Sequence, residues 1–153
     1  FTITLDSVRV NPGARLGEDA RVLIRRSRVA QSAMAVGVAK ASLDYAMAYS
    51  KEREAFGSKI AQKQAIAFML AEMAIEVDAT RLLNWEAAWC LDQSQEASRE
   101  TAIARRYAVD TVMTVADNGI QVLGGHGFVR DHPVEMWARN GRGFATFEGL
   151  ASL

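Results

Sequence analysis

Between Pro12 and Pro133 the chain contains no proline. Proline breaks helix interiors, because it lacks the N–H and its ring collides with the preceding turn. Its absence over so long a run leaves helices free to extend. Apolar residues recur through the run at helical spacing: Leu23, Ala30, Met34, Val38, Ala41 and Tyr45; then Ile66, Met69, Leu70, Met73 and Val77; then Ile103, Tyr107, Val112, Val115 and Ile120. The pattern predicts helices near 18–53, 60–93 and 98–123, and a shorter one from 133 onward. Phe56-Gly57-Ser58 separates the first two, and "DQSQEAS" separates the next two. Helices this long, joined by short connections, predict an all-α fold: an antiparallel up-down four-helix bundle.

The first residues read differently. Phe1, Ile3 and Leu5 alternate with Thr2, Thr4 and Asp6; Val8 and Val10 follow, then "NPGARLGE". Period-two alternation predicts a short β segment ahead of the bundle, one or two strands and a turn. A lone strand pair is not stable in water. The segment therefore reads as the edge of a sheet whose other strands lie elsewhere.

Composition narrows the function. Half of the 153 residues are apolar, enough for the core of one domain. Eighteen basic residues balance eighteen acidic ones. That balance argues against a nucleic-acid surface or a polybasic membrane patch. No apolar run is long enough to span a bilayer, and no targeting signal is visible. Cys90 is the only cysteine, which excludes an internal disulfide and suits a reducing compartment. It reads as a core thiol rather than a nucleophile. His126 and His132 share a loop without cysteine or paired carboxylates, so no metal site is predicted.

Several residues carry two readings each. "QVLGGHGF" places Gly124, Gly125 and Gly127 at the end of a predicted helix. One glycine past the cap suffices to stop a helix. Three predict either a flexible loop or a backbone that comes close to something. Arg53, at the end of the first helix, is a solvated charge on the helix C-terminus or a guanidinium that grips a phosphate. Phe56 is a core ring or one that stacks on a flat cofactor. Gln64 is an exposed amide by default. Glu148, between Phe147 and Gly149, is a surface carboxylate or a partly desolvated general base.

Taken together and in order, these elements resemble a known family. "RVAQSAMAVGVAKASLDYAMAYSKEREAFG", which starts at Arg28, is followed by "QVLGGHGFVRDHPVE", Arg139 and "FEGL". The set closely resembles the carboxy-terminal part of the flavin-dependent acyl-CoA dehydrogenases, over nearly the whole chain. The resemblance implies that residues 1–17 are a remnant of the middle β domain with its linker, and that residues 18–153 are the carboxy-terminal helical domain. It implies FAD as cofactor, and α,β-dehydrogenation of an acyl-CoA thioester. It implies an electron-transferring flavoprotein as acceptor, and a bacterial cytoplasm or mitochondrial matrix as location. Glu148 matches the catalytic glutamate, Arg28 an arginine near the acyl-CoA, and Gly149 the glycine beside the base. Arg53, Phe56 and Gln64 match FAD-contacting positions. Gln121, Gly124 and Gly125 match a loop that meets the FAD of a neighbouring subunit. Leu150 replaces a usual threonine, Ser152 a frequent glutamine, and Arg25 stands where related enzymes can carry an aspartate.

Two other classes compete: a non-catalytic helical assembly module, and a related flavin acyl-CoA oxidase. Self-association to a dimer or tetramer is expected through the alanine-rich first helix and through Val109, Val112, Met113 and Ala116 of the third.

Overall fold

The helical spacing resolves into four helices among the described residues. A computed structural model describes residues 4–14 and 20–151, with side chains up to residue 146. Helix α1 spans Ala20–Glu52. A small hairpin follows, β1 at Glu54–Ala55 and β2 at Ser58–Lys59. After a 3-10 turn at Ile60–Gln62 come α2, Gln64–Asp92, and α3, Ser98–Leu123. A second 3-10 turn, Gly124–Phe128, leads to α4, Val134–Ala151.

Alanine is the best helix former, and α1 uses it for packing as well. Its inner face is Ser32, Ala35, Val36, Ala39, Ser42, Leu43, Ala46 and Ser50, a stripe of mostly small side chains. Small residues let helix axes come close, and α1 packs most extensively on α3. Helix α3 lies at the centre and touches the other three. Leu43, Met73, Val77, Val112, Val115, Val134 and Phe144 belong to one apolar cluster. Each fully buried Val, Leu, Met or Phe contributes about 1.5–3 kcal/mol. Buried hydroxyls are satisfied locally. Thr80 donates to the Glu76 carbonyl at 2.6 Å and to Thr111 Oγ1 at 2.8 Å, joining α2 to α3.

Two expectations need correction. The β segment at the start is not formed among residues 4–14, which are exposed and contain only a 3-10 turn at Pro12–Ala14. A strand needs a neighbour to accept its hydrogen bonds, and no partner strand faces it among the described residues. The strands that do form are β1 and β2, paired antiparallel. The α3 part of the expected self-association face also fails, whereas α1 keeps Ala33 and Met34 exposed. Val109, Val112 and Ala116 are buried inside the bundle. Exposed apolar residues lie instead on α2: Phe68, Ile75, Leu82, Trp85 and Trp89. Four of them recur every seven residues, which places them on one helix face.

One end of the bundle is tied shut by polar side chains. Arg105 of α3 is 1% exposed. Its Nε donates to Gln31 Oε1 of α1 at 3.0 Å, and a terminal nitrogen donates to the Phe144 carbonyl of α4. Arg25 pairs with Glu96, and its Nε donates to Ser98 Oγ at 3.0 Å, fixing the start of α1 to the α2–α3 connection. Bonds from Ser98, then the nearby Arg25, hold the Glu96 carboxyl below the usual carboxylate range.

Candidate functional site

At the opposite end the chain reverses through the hairpin. Glu54 pairs with Lys59 and Ala55 with Ser58, which leaves a two-residue turn, Phe56-Gly57. Both have positive φ, 53° and 79°. Two left-handed residues suit the twist of a tight hairpin. Glycine accepts this freely, whereas a bulky side chain there costs on the order of 1–2 kcal/mol. Phe56 bears that cost and is also 96% exposed. The backbone thus presents an aromatic ring to the outside, where folding gains nothing from it.

Arg53 stands just before the hairpin with its backbone locked. Its N–H donates to the Tyr49 carbonyl and its own carbonyl accepts from Ile60 N–H, both at 2.9 Å. Its side chain is exposed. Among the described residues the guanidinium has no hydrogen-bond or ion-pair partner.

The glycine turn faces this hairpin. Gly124 closes α3 with φ 60° and ψ −133°, a conformation for glycine. Gly127 is needed for packing, since a Cβ there would stand 2.6 Å from the Ile120 carbonyl oxygen. Gly125 has neither reason. Its φ is not positive, and nothing lies within 4 Å of where a Cβ would be. Of the three glycines, only Gly125 is left for something outside the chain to explain.

Hairpin and glycine turn enclose an open cleft of about 450 Å³. Arg53, Phe56, Gln121, Gly124 and Gly125, all singled out in the sequence, line it together. Gln64 does not line it; it is exposed at the first position of α2. Three polar lining residues escaped the sequence reading as site residues: Tyr49, Lys63 and His126. Tyr49 lies one helical turn before Arg53, a signal that could have found it. Lys63 Nζ donates to the Phe56 carbonyl at 3.3 Å. Ile60, Ile66, Val122 and Leu123 supply apolar wall, and among the described residues no acidic one lines the cleft.

Two tyrosines brace its far side. Tyr49 OH lies 2.8 Å from His126 Nδ1, and Tyr45 OH lies 2.8 Å from His132 Nδ1. The histidine rings stack, with centroids 5.6 Å apart and planes within 16°. Trp137 meets Tyr45 edge-on at 5.9 Å. The glycine turn and the start of α4 are thereby fixed to α1.

The remaining candidates lie elsewhere. Arg28 is half-buried on α1. At 1.5 Å per residue it is roughly 36 Å down the helix from Glu52, so it belongs to the tied end. The Arg105 bridge brings Phe144 of α4 to Gln31, one turn from Arg28. Glu148 and Gly149 fall in the final turn of α4, but their side-chain positions, like Leu150 and Ser152, lie outside the described residues. Arg139 pairs with Glu135 at 2.7 Å. Cys90 is buried, and that burial, with Glu100 and Glu86 nearby, pushes its thiol up, away from the reactive thiolate.

The donor set fits an anionic ligand that carries a flat ring. A guanidinium and an ammonium attract phosphate, an exposed ring offers a stacking face, and an open glycine backbone permits close approach. Comparison with known proteins identifies the family. A family model, acyl-CoA dehydrogenase C-terminal domain, matches residues 18–151. The caffeyl-CoA reductase-Etf complex subunit CarC of Acetobacterium woodii is 34% identical over 157 residues, covering 99% of this chain and 41% of that protein. The mitochondrial short-chain specific acyl-CoA dehydrogenase of Rattus norvegicus is 36% identical over 126 residues, 82% of this chain and 31% of that one. The structure of butyryl-CoA dehydrogenase from Megasphaera elsdenii matches with TM-score 0.80 at 33% identity, over 82% of this chain and 33% of that one. The chain thus spans less than half the length of these relatives.

Proposed function

The chain belongs to the acyl-CoA dehydrogenase family, and from that membership we propose that it forms the helical part of an FAD-dependent enzyme acting on the Cα–Cβ pair of an acyl-CoA thioester. The observation that carries the proposal is the cleft, where Arg53, Phe56, Gln121, Gly124 and Gly125 meet although the hairpin and the glycine turn are far apart in sequence. Arg53 and Lys63 hold the phosphates of the dinucleotide. The Phe56 ring offers it a flat face, and the Gly125 backbone lets it approach. Bound FAD supplies the acceptor for the β hydride.

Glu148 takes the α proton, and Gly149 beside it leaves room for the thioester. Arg28 holds the acyl-CoA at the same end of the bundle. An α proton of a thioester is weakly acidic, so removal needs hydrogen-bond donors at the carbonyl oxygen as well as a base. Arg28 and the cleft lie at opposite ends of one bundle. The two therefore serve different active centres, with the cleft holding cofactor that belongs to a neighbouring subunit.

That arrangement requires self-association, to a dimer or tetramer, and the exposed α2 face is the surface for it. An electron-transferring flavoprotein is the redox partner, as the Etf-complex relative supports. The same relative is a reductase, which favours keeping the reverse direction in view. The group that removes the α proton is also the group that returns it. No helix among the described residues is long and apolar enough to cross a membrane.

The test is anaerobic flavin bleaching on addition of acyl-CoA substrates of several lengths, in the enzyme that carries this chain. Glu148→Gln keeps the shape and loses the base, so the fold and bound flavin survive. The bleaching rate falls about two to four orders of magnitude. Equal rates in the two proteins would place the base elsewhere.

A further inference from the structure

We propose that His126 is a proton-linked donor of the cleft, which makes binding of a phosphate-bearing group there tighten as the pH falls. The proposal rests on the reading of the cleft as a dinucleotide site. Its grounds are in the geometry. His126 lines the cleft beside Arg53 and Lys63, is exposed, and holds its Nδ1 2.8 Å from the Tyr49 hydroxyl.

Tyr49 determines what the ring can offer. When its hydroxyl donates into Nδ1, the imidazole proton resides on Nε2, and Nε2–H is a donor. When the ring takes up a second proton, Nδ1–H donates and the same hydroxyl oxygen accepts. The contact survives in both states, so the ring stays in place and only its charge changes. A neutral donor becomes a charged one, and charge-assisted bonds to phosphate are roughly twice as strong.

The surroundings make that charge depend on the ligand. Arg53 and Lys63 line the cleft together with His126. His132 stacks on His126 at 5.6 Å. Tyr45 and Tyr49 on α1 offer only hydroxyls. Arg130, Asp131, Glu135 and Arg139 line the groove on the His132 side, where cations and acids balance. Among the described residues no acid lines the cleft, so the favourable partner for a positive charge there is the bound phosphate. By linkage, a phosphate that favours the proton is itself bound more tightly when the proton is present.

The experiment titrates the chain with ADP by calorimetry between about pH 6 and 8, the interval in which imidazole charges. Adenosine is the uncharged control, and His126→Gln and Arg53→Ala are the variants. His126 is exposed, and glutamine keeps a donor but takes no charge. The Gln variant shares the titration of ADP itself, so the difference between the two proteins isolates the imidazole. The expected result is ADP affinity about five- to tenfold higher at the acid end in wild type, relative to His126→Gln. Adenosine shows no such gain. The chain has two histidines, so proton NMR resolves their C2–H signals, and ADP displaces the titration of the His126 signal. Equal pH slopes in wild type and His126→Gln overturn the inference, while loss of binding in Arg53→Ala still upholds the cleft. Absence of ADP binding, or binding that Arg53→Ala leaves intact, overturns both.

Discussion

The two ends of the bundle use the same side chain in opposite ways. At the tied end Arg105 is buried and bonded to Gln31 and the Phe144 carbonyl, bridging three helices. At the open end Arg53 is exposed, and its guanidinium bonds to nothing among the described residues. Arg105 is part of how the chain folds. Arg53 sits beside an exposed Phe56 in a strained conformation and a Gly125 that packing does not require. A region that bears local cost without internal return is where a ligand is expected.

Stability separates the ends most sharply. Arg105→Ala leaves Gln31 and a buried carbonyl without their donor, and lowers stability by about 2–4 kcal/mol. Arg53→Ala costs within about 0.5 kcal/mol, as for surface changes generally. Urea unfolding of both variants checks this, and similar costs would break the comparison.

Within the glycine turn the contrast recurs at smaller scale. Gly127→Ala drives a Cβ into the Ile120 carbonyl and costs about 1–3 kcal/mol. Gly125→Ala enters open space and leaves the melting temperature near wild type, yet it weakens ADP binding. A Gly125→Ala variant that unfolds easily but still binds would reverse the assignment.

The outer face of α2 belongs to neither end. Leu82 is 62% exposed, so Leu82→Lys shifts monomer stability by no more than about 0.5 kcal/mol. Sedimentation at micromolar concentration shows wild type self-associating and the variant shifted to monomer. Equal sedimentation of the two would remove that face from the account.

What could be read from the sequence follows the range of the forces involved. The helices were legible because period 3.6 and the absence of proline are local signals. The fourth helix was found from Pro133 onward for the same reason. The hairpin was not legible, since two-residue strands are too short to show alternation. In the opening segment residues 4–14 form no strand, because pairing depends on a neighbour, while Phe1 and Ile3 lie outside the described residues. Val109 and Val112 misled because a buried stripe and a docking stripe look alike in sequence; the seven-residue recurrence on α2 would have been the better guide. Gly127 owes its identity to Ile120, a contact made only when α3 ends and the turn folds back. Tyr49 and His126 are 77 positions apart in sequence, and packing alone joins them. The role proposed for Arg28 comes from resemblance alone, and for Glu148 the resemblance chooses between two local readings.

Flavin retention tests the central claim most directly. The enzyme that carries this chain is loaded with FAD, passed through gel filtration, and its flavin-to-protein ratio is measured for wild type and Arg53→Ala. Loss of one charge-assisted contact of about 1.5–3 kcal/mol weakens binding roughly tenfold or more. The account predicts a flavin-depleted variant whose unfolding midpoint matches wild type. Full flavin retention in a folded Arg53→Ala protein would contradict it.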